Sequence, residues 1–389
     1  MNDSLDQVIS PRLSLCMIVK DEKENLSRCL ESAKPYVDEI IVVDTGSQDG
    51  TPEIALLYGA KVDYFKWCDD FSAARNFSLS LASGDWILVL DADEELVVNT
   101  DSLKEELTSQ TEVIAYLLML SEANAVEGAT PLKTPRLFRN LPELRYVSRL
   151  HEYIDLKNYC DRQNFLVQLE SLRILHHPKT DPEKIQQELI ERDIAILERI
   201  QEEEGLSLRL LYSLAGVYGA TQQTEKAQEC YAEAFERLFP HLMEGNPPDD
   251  FAFIPSLIFT LAGQSLQNQD YETARLLCQR GLEWCANYPP ISYIAGMTLI
   301  ALGFPLGAVA YFENCLQLGK EASYYAGEPF ELSFMTTYPA CGLGAAYIQM
   351  KSWQAAISAF ELALDFDENC TEAKQNIDGI KALLNQGMQ

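Results

Sequence analysis

One spacing pattern, met four times in the second half of the chain, limits the fold more than composition does. Leu214-Ala215, Tyr218, Ala227, Tyr231 and Ala234 lie at offsets of 1, 4, 13, 17 and 20 from the leucine, and these offsets recur at Leu343-Gly344, Tyr347, Ala356, Phe360 and Ala363. Looser copies run through Leu261-Ala262, Ser265, Ala274, Cys278 and Gly281, and through Ala295-Gly296, Leu299, Ala308, Phe312 and Cys315. Such offsets put small and bulky residues on facing stripes of two consecutive helices. Ala and Gly let the two helices approach, and the aromatics fill the gaps. One hairpin cannot bury its own face, so the units must stack into a solenoid. The reference alanines are 47, 34 and 48 residues apart. Residues 240–250 and 321–338 are therefore read as insertions projecting from one face, and 371–386 as a capping helix.

The array resembles tetratricopeptide (TPR) repeats, whose period is 34 residues. The preceding 180 residues are different. Residues 13–19, 39–44, 62–67 and 86–90 read as buried strands, and 51–57 and 72–82 as helices between them. Strands alternating with helices imply βαβ units and a mostly parallel sheet, with antiparallel additions from Val113 to about Leu175. The expected organisation is a short tail (1–11), an α/β domain (12–180) and an all-α repeat domain with its capping helix (181–389).

The chain of 389 residues carries 30 basic and 59 acidic side chains, a net charge of −29. That balance repels phosphate backbones and anionic headgroups and argues against nucleic-acid binding. No run approaches the ~20 apolar residues that span a bilayer, and the polar N-terminus is unlike a signal peptide. The 10 cysteines form no CxxC pair and sit mostly among apolar neighbours, as in a reducing compartment. A cytoplasmic location is expected, with peripheral association at the inner face of the membrane open through a partner.

The densest chemistry is Asp91-Ala92-Asp93-Glu94-Glu95, directly after a buried strand. Carboxylates one residue apart at a strand end can converge on a hard cation, or simply occupy an acidic loop or helix start. Asp44 ends another buried strand, ahead of Thr45-Gly46-Ser47. Its carboxylate suits a nucleobase or ribose, while Ser47 and Asp49 suit helix capping. Lys20-Asp21-Glu22 follows the first strand at the same sheet edge.

These segments resemble family 2 glycosyltransferases of the GT-A fold, a Rossmann-like mixed sheet flanked by helices. The resemblance rests on LSLCMIVKDEKENLSRCLESA (13–33), DEIIVVDTGSQDGTPEIA (38–55), WCDDFSAARNFSLSLASGDWILVLDADEEL (67–96) and RLHE (149–152). Joined to a TPR array, it is similar to bacterial TPR-containing glycosyltransferases. The resemblance implies that Asp91 and Asp93 hold Mn²⁺ or Mg²⁺ on a nucleotide-sugar diphosphate, with His151 as third ligand. It implies that Val19, Glu22, Asp44, Asp70, Arg75, Asn76 and Asp91 bind the donor. Asp21 departs from the Asn of the family's KNE and is expected to point elsewhere. His176 resembles a second family His at the end of the catalytic domain, with its part in the site open. Arg136 and Arg139 suit a phosphate or sugar acid, or surface strand positions.

The chemistry implied is an inverting transfer from a nucleotide sugar to a glycan, lipid-linked or protein acceptor. Glu152 is the first candidate for general base, and Glu94 and Glu95 follow. The TPR surface would recruit the acceptor or a protein partner. The competing readings are a TPR adaptor whose α/β domain is a degenerate scaffold, and a nucleotidyltransferase. The latter would want a Gly-rich, basic loop after the first strand, which Lys20-Asp21-Glu22 is not.

Overall fold

A computed structural model describes residues 10–123, 130–177 and 182–386. They form two compact units, residues 1–125 with 131–205 and residues 126–130 with 206–389. The first unit runs β1 (Leu13–Val19), α1 (Leu26–Ala33), β2 (Glu39–Asp44), α2 (Thr51–Leu57), β3 (Lys61–Tyr64), α3 (Phe71–Ser80), β4 (Trp86–Val89) and β5 (Glu94–Val98). It continues through α4 (Leu103–Ser109), β6 (Ala115–Glu122), β7 (Leu132–Arg139), β8 (Tyr146–Val147), β9 (Tyr153–Ile154), β10 (Leu166–His176) and α5 (Pro182–Glu203).

Eight strands make one mixed sheet in the order β3-β2-β1-β4-β7-β6-β10-β5. The four on one side are parallel, and β7 joins β4 antiparallel. Strand β1 shows why its sequence is apolar on both faces apart from Ser14: both its faces are covered. Leu13, Leu15, Met17 and Val19 join Leu26, Cys29, Leu30 and Ala33 of α1. Cys16 joins Ile41, Val43, Leu79 and Val89 in the opposite core. The chain winds from β1 out to β3 and then returns to place β4 on the other side of β1. That reversal opens a crevice beyond the carboxyl ends of β1 and β4, where ligands of open α/β sheets bind.

Strands β1 and β2 and helix α2 match the ends expected from sequence; the third strand stops at Tyr64 instead of 67. The chain leaves the sheet there through Asp69, at a left-handed φ of 57°, to start α3 at its cap Asp70. Helix α5 was expected in the repeat domain and belongs instead to the first unit. Arg199 pairs with Asp69, Arg149 pairs with Glu203 at 2.6 Å, and the Arg192 guanidinium lies 5.1 Å from the Phe71 ring centroid.

The second unit stacks helical hairpins: α6 (Leu208–Ala220) with α7 (Thr224–Glu244), α8 (Ile254–Gln267) with α9 (Tyr271–Trp284), and α10 (Pro289–Ala301) with α11 (Pro305–Glu321). Then α12 (Thr337–Gln349) pairs with α13 (Trp353–Phe366), and α14 (Thr371–Gln386) caps the stack. The repeat is also written in the backbone. The residue five positions before each reference alanine turns left-handed: Gln222 at φ 59°, Gln269 at 61°, Gly303 at 81° and Lys351 at 57°. The small-residue positions are contact points. A Cβ on either Gly296 or Gly342 would meet the Phe312 ring at 2.6 Å, and one on Gly344 would strike Phe360.

The insertions behave differently from expectation. Helix α7 continues through Pro240 to Glu244 and stops at Gly245, at φ 83°, so half of the first insertion is helix. The second insertion packs back rather than projecting. Tyr325 N–H donates to the Asn287 carbonyl at 2.8 Å, and Phe334 lies 5.2 Å from Phe259 and 5.5 Å from Tyr293, ring to ring. Thr130, which belongs to this unit, donates its N–H to the Phe330 carbonyl at 2.9 Å.

The same insertion buries Glu328. Burial pushes its carboxyl up to about 7, with Asp250 adding to the rise and Arg209 opposing it. A carboxyl whose folded pKa lies above its unfolded one favours the protonated form. The associated stability is intact below about pH 4.5 and is lost as pH climbs through 7, by roughly 2–3 kcal/mol. Thermal unfolding of the second unit between pH 4.5 and 8 should show this loss, and Glu328→Gln should flatten it.

Candidate active site at the sheet edge

Each loop beyond β1 and β2 is built from its own side chains. Asp21 takes a left-handed φ of 53°, which Asp and Asn tolerate, and its carboxylate accepts the Gln48 N–H at 2.7 Å. Ser47 accepts the Asp21 N–H, and Asp49 accepts the N–H groups of Thr51 and Lys23. Thr51 Oγ1 accepts the Glu22 N–H at 2.8 Å. Asp21 thus points away from the crevice into this loop clasp, and Ser47 and Asp49 serve as loop ties.

Asp44, paired in register with Val19, is only 2% exposed. Its Oδ1 accepts the N–H groups of Gly46 and Ser47 at 2.9 and 3.0 Å, while its Oδ2 is buried and without a partner. Buried carboxylate oxygens are normally satisfied. Oδ2 is therefore an acceptor held ready for a donor group that the described residues do not supply.

Beyond β4 the charges converge. Asp91 Oδ1 accepts from Arg75 Nη2 at 2.6 Å and Oδ2 from Arg136 Nη2 at 3.1 Å. Arg75 Nε donates to Glu152 Oε1 at 3.0 Å, and Arg136 Nη2 also reaches Glu94 Oε1 at 2.8 Å. Glu94 Oε2 accepts the Asp91 N–H at 2.8 Å. Tyr146 covers Arg75, its ring centroid 5.8 Å from the guanidinium carbon. Burial opposes ionisation of Asp91, but Arg75 and Arg136 win and hold its carboxyl well below the usual range. Burial pushes the Glu94 carboxyl up to about 7, with Asp91 adding to the rise and Arg136 opposing. Burial works against the charge on both arginines, and the carboxylates overcome it.

Arg136 is not a surface strand residue. Tyr116 pairs with Leu137 and Leu117 with Pro135, so Arg136 is the extra residue of a β-bulge between β6 and β7. Bulges re-aim side chains, commonly beside active sites. Arg139 is structural: its guanidinium lies 4.6 Å from the Trp86 ring centroid and donates to the Val113 carbonyl at 2.7 Å.

Strand β10 brings two histidines to the same edge. His176 Nε2 lies 3.6 Å from Asp93 and Nδ1 2.9 Å from Glu122, and hydrogen bonding to Asp93, against burial and with Glu122 helping, lifts it to about 9. His177 Nε2 meets Glu95 Oε2 at 2.7 Å, and its N–H donates to the Asp93 carbonyl at 2.8 Å. His151 is exposed, at a left-handed φ of 53°.

The trio Asp91, Asp93 and His151 is therefore not drawn together. Among the described residues no three His, Cys, Asp or Glu side chains form a group able to hold a metal ion. Both Asp91 oxygens face guanidinium groups, and Asp93 faces the His176 imidazole at 3.6 Å. As gathered here, these residues do not fit the expected Mn²⁺ or Mg²⁺. Two expected donor contacts are also spent on the frame. Asp70 caps α3, accepting the Ala73 N–H and the Ser72 hydroxyl, and Asn76 clasps both backbone groups of Tyr146. They set the position of Arg75 between them on α3. Tyr146 and the His176–Glu122 pairing carried no sequence signal.

With this geometry in view, the family described as glycosyl transferase family 2 matches residues 14–105, and a tetratricopeptide repeat matches residues 208–237. The chain thus carries a family 2 glycosyltransferase domain followed by a TPR region. A TPR repeat-containing protein of Synechococcus elongatus is 50% identical over 145 residues, 37% of this chain and 36% of that protein. A protein named an uncharacterized glycosyltransferase in Rickettsia felis is 37% identical over 115 residues, 28% of this chain and 39% of that one. Glycosyltransferase SunS of Bacillus phage SPbeta is 28% identical over 167 residues, 41% of this chain and 39% of the phage protein. The chain spans well under half the length of these relatives. Among the described residues no helix is long and apolar enough to cross a membrane.

Proposed function

We propose that the first unit is an inverting glycosyltransferase that uses a nucleotide-diphosphate sugar, and that the TPR unit recruits the acceptor or a protein partner. The observation that carries this reading is Asp44 Oδ2, a buried acceptor with no partner beside the sheet's switch point. It suits an N–H of a base or a hydroxyl of a ribose. The family 2 match over residues 14–105 supports the same reading.

In the transfer, an acceptor oxygen attacks the anomeric carbon as the bond to the diphosphate breaks on the opposite face. The acceptor proton passes to a carboxylate within hydrogen-bond reach. Glu152 is the best placed of the three candidates. Its Oε1 is anchored by Arg75, whereas Glu94 is buried between Arg136 and the Asp91 N–H, and Glu95 is bound to His177.

The test is thermal unfolding with UDP, GDP, dTDP or CDP, each with and without Mn²⁺. A ligand that binds only the folded state stabilises it by about 2.7 kcal/mol at 100 times its Kd. One of the four should raise the melting temperature of the first unit. If none does, with or without Mn²⁺, the domain is a scaffold and the TPR surface holds the function.

A further inference from the structure

The misfit between the expected cation set and the charges present at Asp91 has a positive side. We propose that Arg136 is the residue that binds the diphosphate of the nucleotide donor, a guanidinium doing at this site the charge neutralisation expected of a divalent cation. The proposal rests on the nucleotide-sugar reading above.

Three observations carry it. First, Arg136 is aimed by a fold irregularity. It is the unpaired residue of the β6–β7 bulge, two positions before Phe138, which packs with Tyr146 on the α3 side of the sheet. Second, it is anchored through a single nitrogen. Nη2 alone contacts Asp91 and Glu94, so Nε and Nη1 have no partner among the described residues. Two adjacent donors in a rigid plane match the oxygens of a phosphate. Third, the neighbouring guanidinium is also incompletely used. The Arg75 side chain is 7% exposed, yet its Nη1 is buried with no acceptor. Buried donors left unpaired are costly, and an anionic oxygen beside the pair supplies what the described residues do not.

The surrounding carboxylates do not cancel this role. Asp91 and Glu94 hold Arg136 in place through one nitrogen, so its ordering precedes ligand binding. The Arg136 side chain keeps 17% of its surface open and Asp91 34%, which leaves a way in from the crevice. A guanidinium here also serves the chemistry. The leaving diphosphate gains negative charge as its bond to the sugar breaks, and a preplaced donor fork is worth most where that charge develops.

The test is calorimetric titration of the full chain with UDP, GDP, dTDP, CDP and inorganic pyrophosphate, in excess EDTA and then in Mn²⁺. Wild type should bind one nucleoside diphosphate in EDTA. Arg136→Gln should weaken that binding at least tenfold and leave the matching nucleoside unaffected, while Arg136→Lys should lose less. Because Arg136→Gln strands a buried Glu94, the double variant Arg136→Gln/Glu94→Gln repeats the measurement without the orphaned carboxyl. Nucleotide binding that EDTA abolishes, or that survives unchanged in the double variant, overturns the proposal and spares the nucleotide reading. Pyrophosphate binding that depends on Arg136 without preference for any nucleotide keeps the anion site and removes the nucleotide reading.

Discussion

Arg75→Met is expected to destabilise the first unit by about 3 kcal/mol and to abolish sugar transfer. Methionine keeps the apolar stem that packs under Tyr146, so the effect isolates the guanidinium. Its removal strands Glu152, held by Arg75 at 3.0 Å, and leaves Asp91, held by Arg75 at 2.6 Å, with Arg136 alone. Breaking a buried charge pair from one side costs about 3–5 kcal/mol. The lower end applies because the Asp91 side chain is 34% exposed and water recovers part of the loss. Chemical denaturation measures the stability, and product formation measures the activity. Arg75→Lys should regain charge but not the two-sided grip, since one ammonium cannot bridge carboxylates as a fork does. A Met variant within 1 kcal/mol of wild type would show that the cluster carries little of the fold.

What could be read beforehand follows from how local each signal is. Strand β1 declares itself in a seven-residue run whose one polar member is Ser14, and the repeat declares itself through Gly344 and Phe360, sixteen positions apart on one hairpin. The turns between the helices were silent, because Gln222, Gln269 and Lys351 take a left-handed φ that sequence would assign to glycine. Helix α5 was misplaced because an amphipathic, charged helix looks the same whichever unit it serves. The pairs Arg199–Asp69, Arg149–Glu203 and Arg192–Phe71 decide the matter.

At the site, Asp44, Asp91, Arg75 and Glu152 were legible as strand-end or motif residues. Arg136 was legible only with two readings open, a phosphate or sugar-acid contact or a surface strand charge, because what it faces depends on how β7 pairs across the sheet. Asp70 and Asn76 lie in the same short motif as Arg75, yet only their partners reveal that they hold the frame. Spacing locates such a motif. It does not divide its residues between the substrate and the scaffold.

The role of Glu152 is best tested by a change that leaves its scaffold role intact. Glu152→Gln keeps an oxygen to accept from Arg75 Nε, so the ion pair becomes a hydrogen bond and the loop keeps its place. What disappears is the ability to take a proton. Such a base contributes about 10²–10⁴-fold to rate, and transfer should fall by that factor. Binding of the nucleoside diphosphate should change less than threefold, because Arg136, Asp91 and Asp44 are untouched. A structural role for Glu152 would give the opposite pattern, with a lower melting temperature, weaker nucleotide binding and a modest loss of rate. The pair Glu152→Gln and Glu94→Gln then separates the candidates: Glu94 is 2% exposed, closed in by Arg136 and the Asp91 N–H, and has no route to an acceptor hydroxyl. Its replacement should leave the limb of the pH–rate profile that reports the general base where it is, whereas Glu152→Gln should remove that limb.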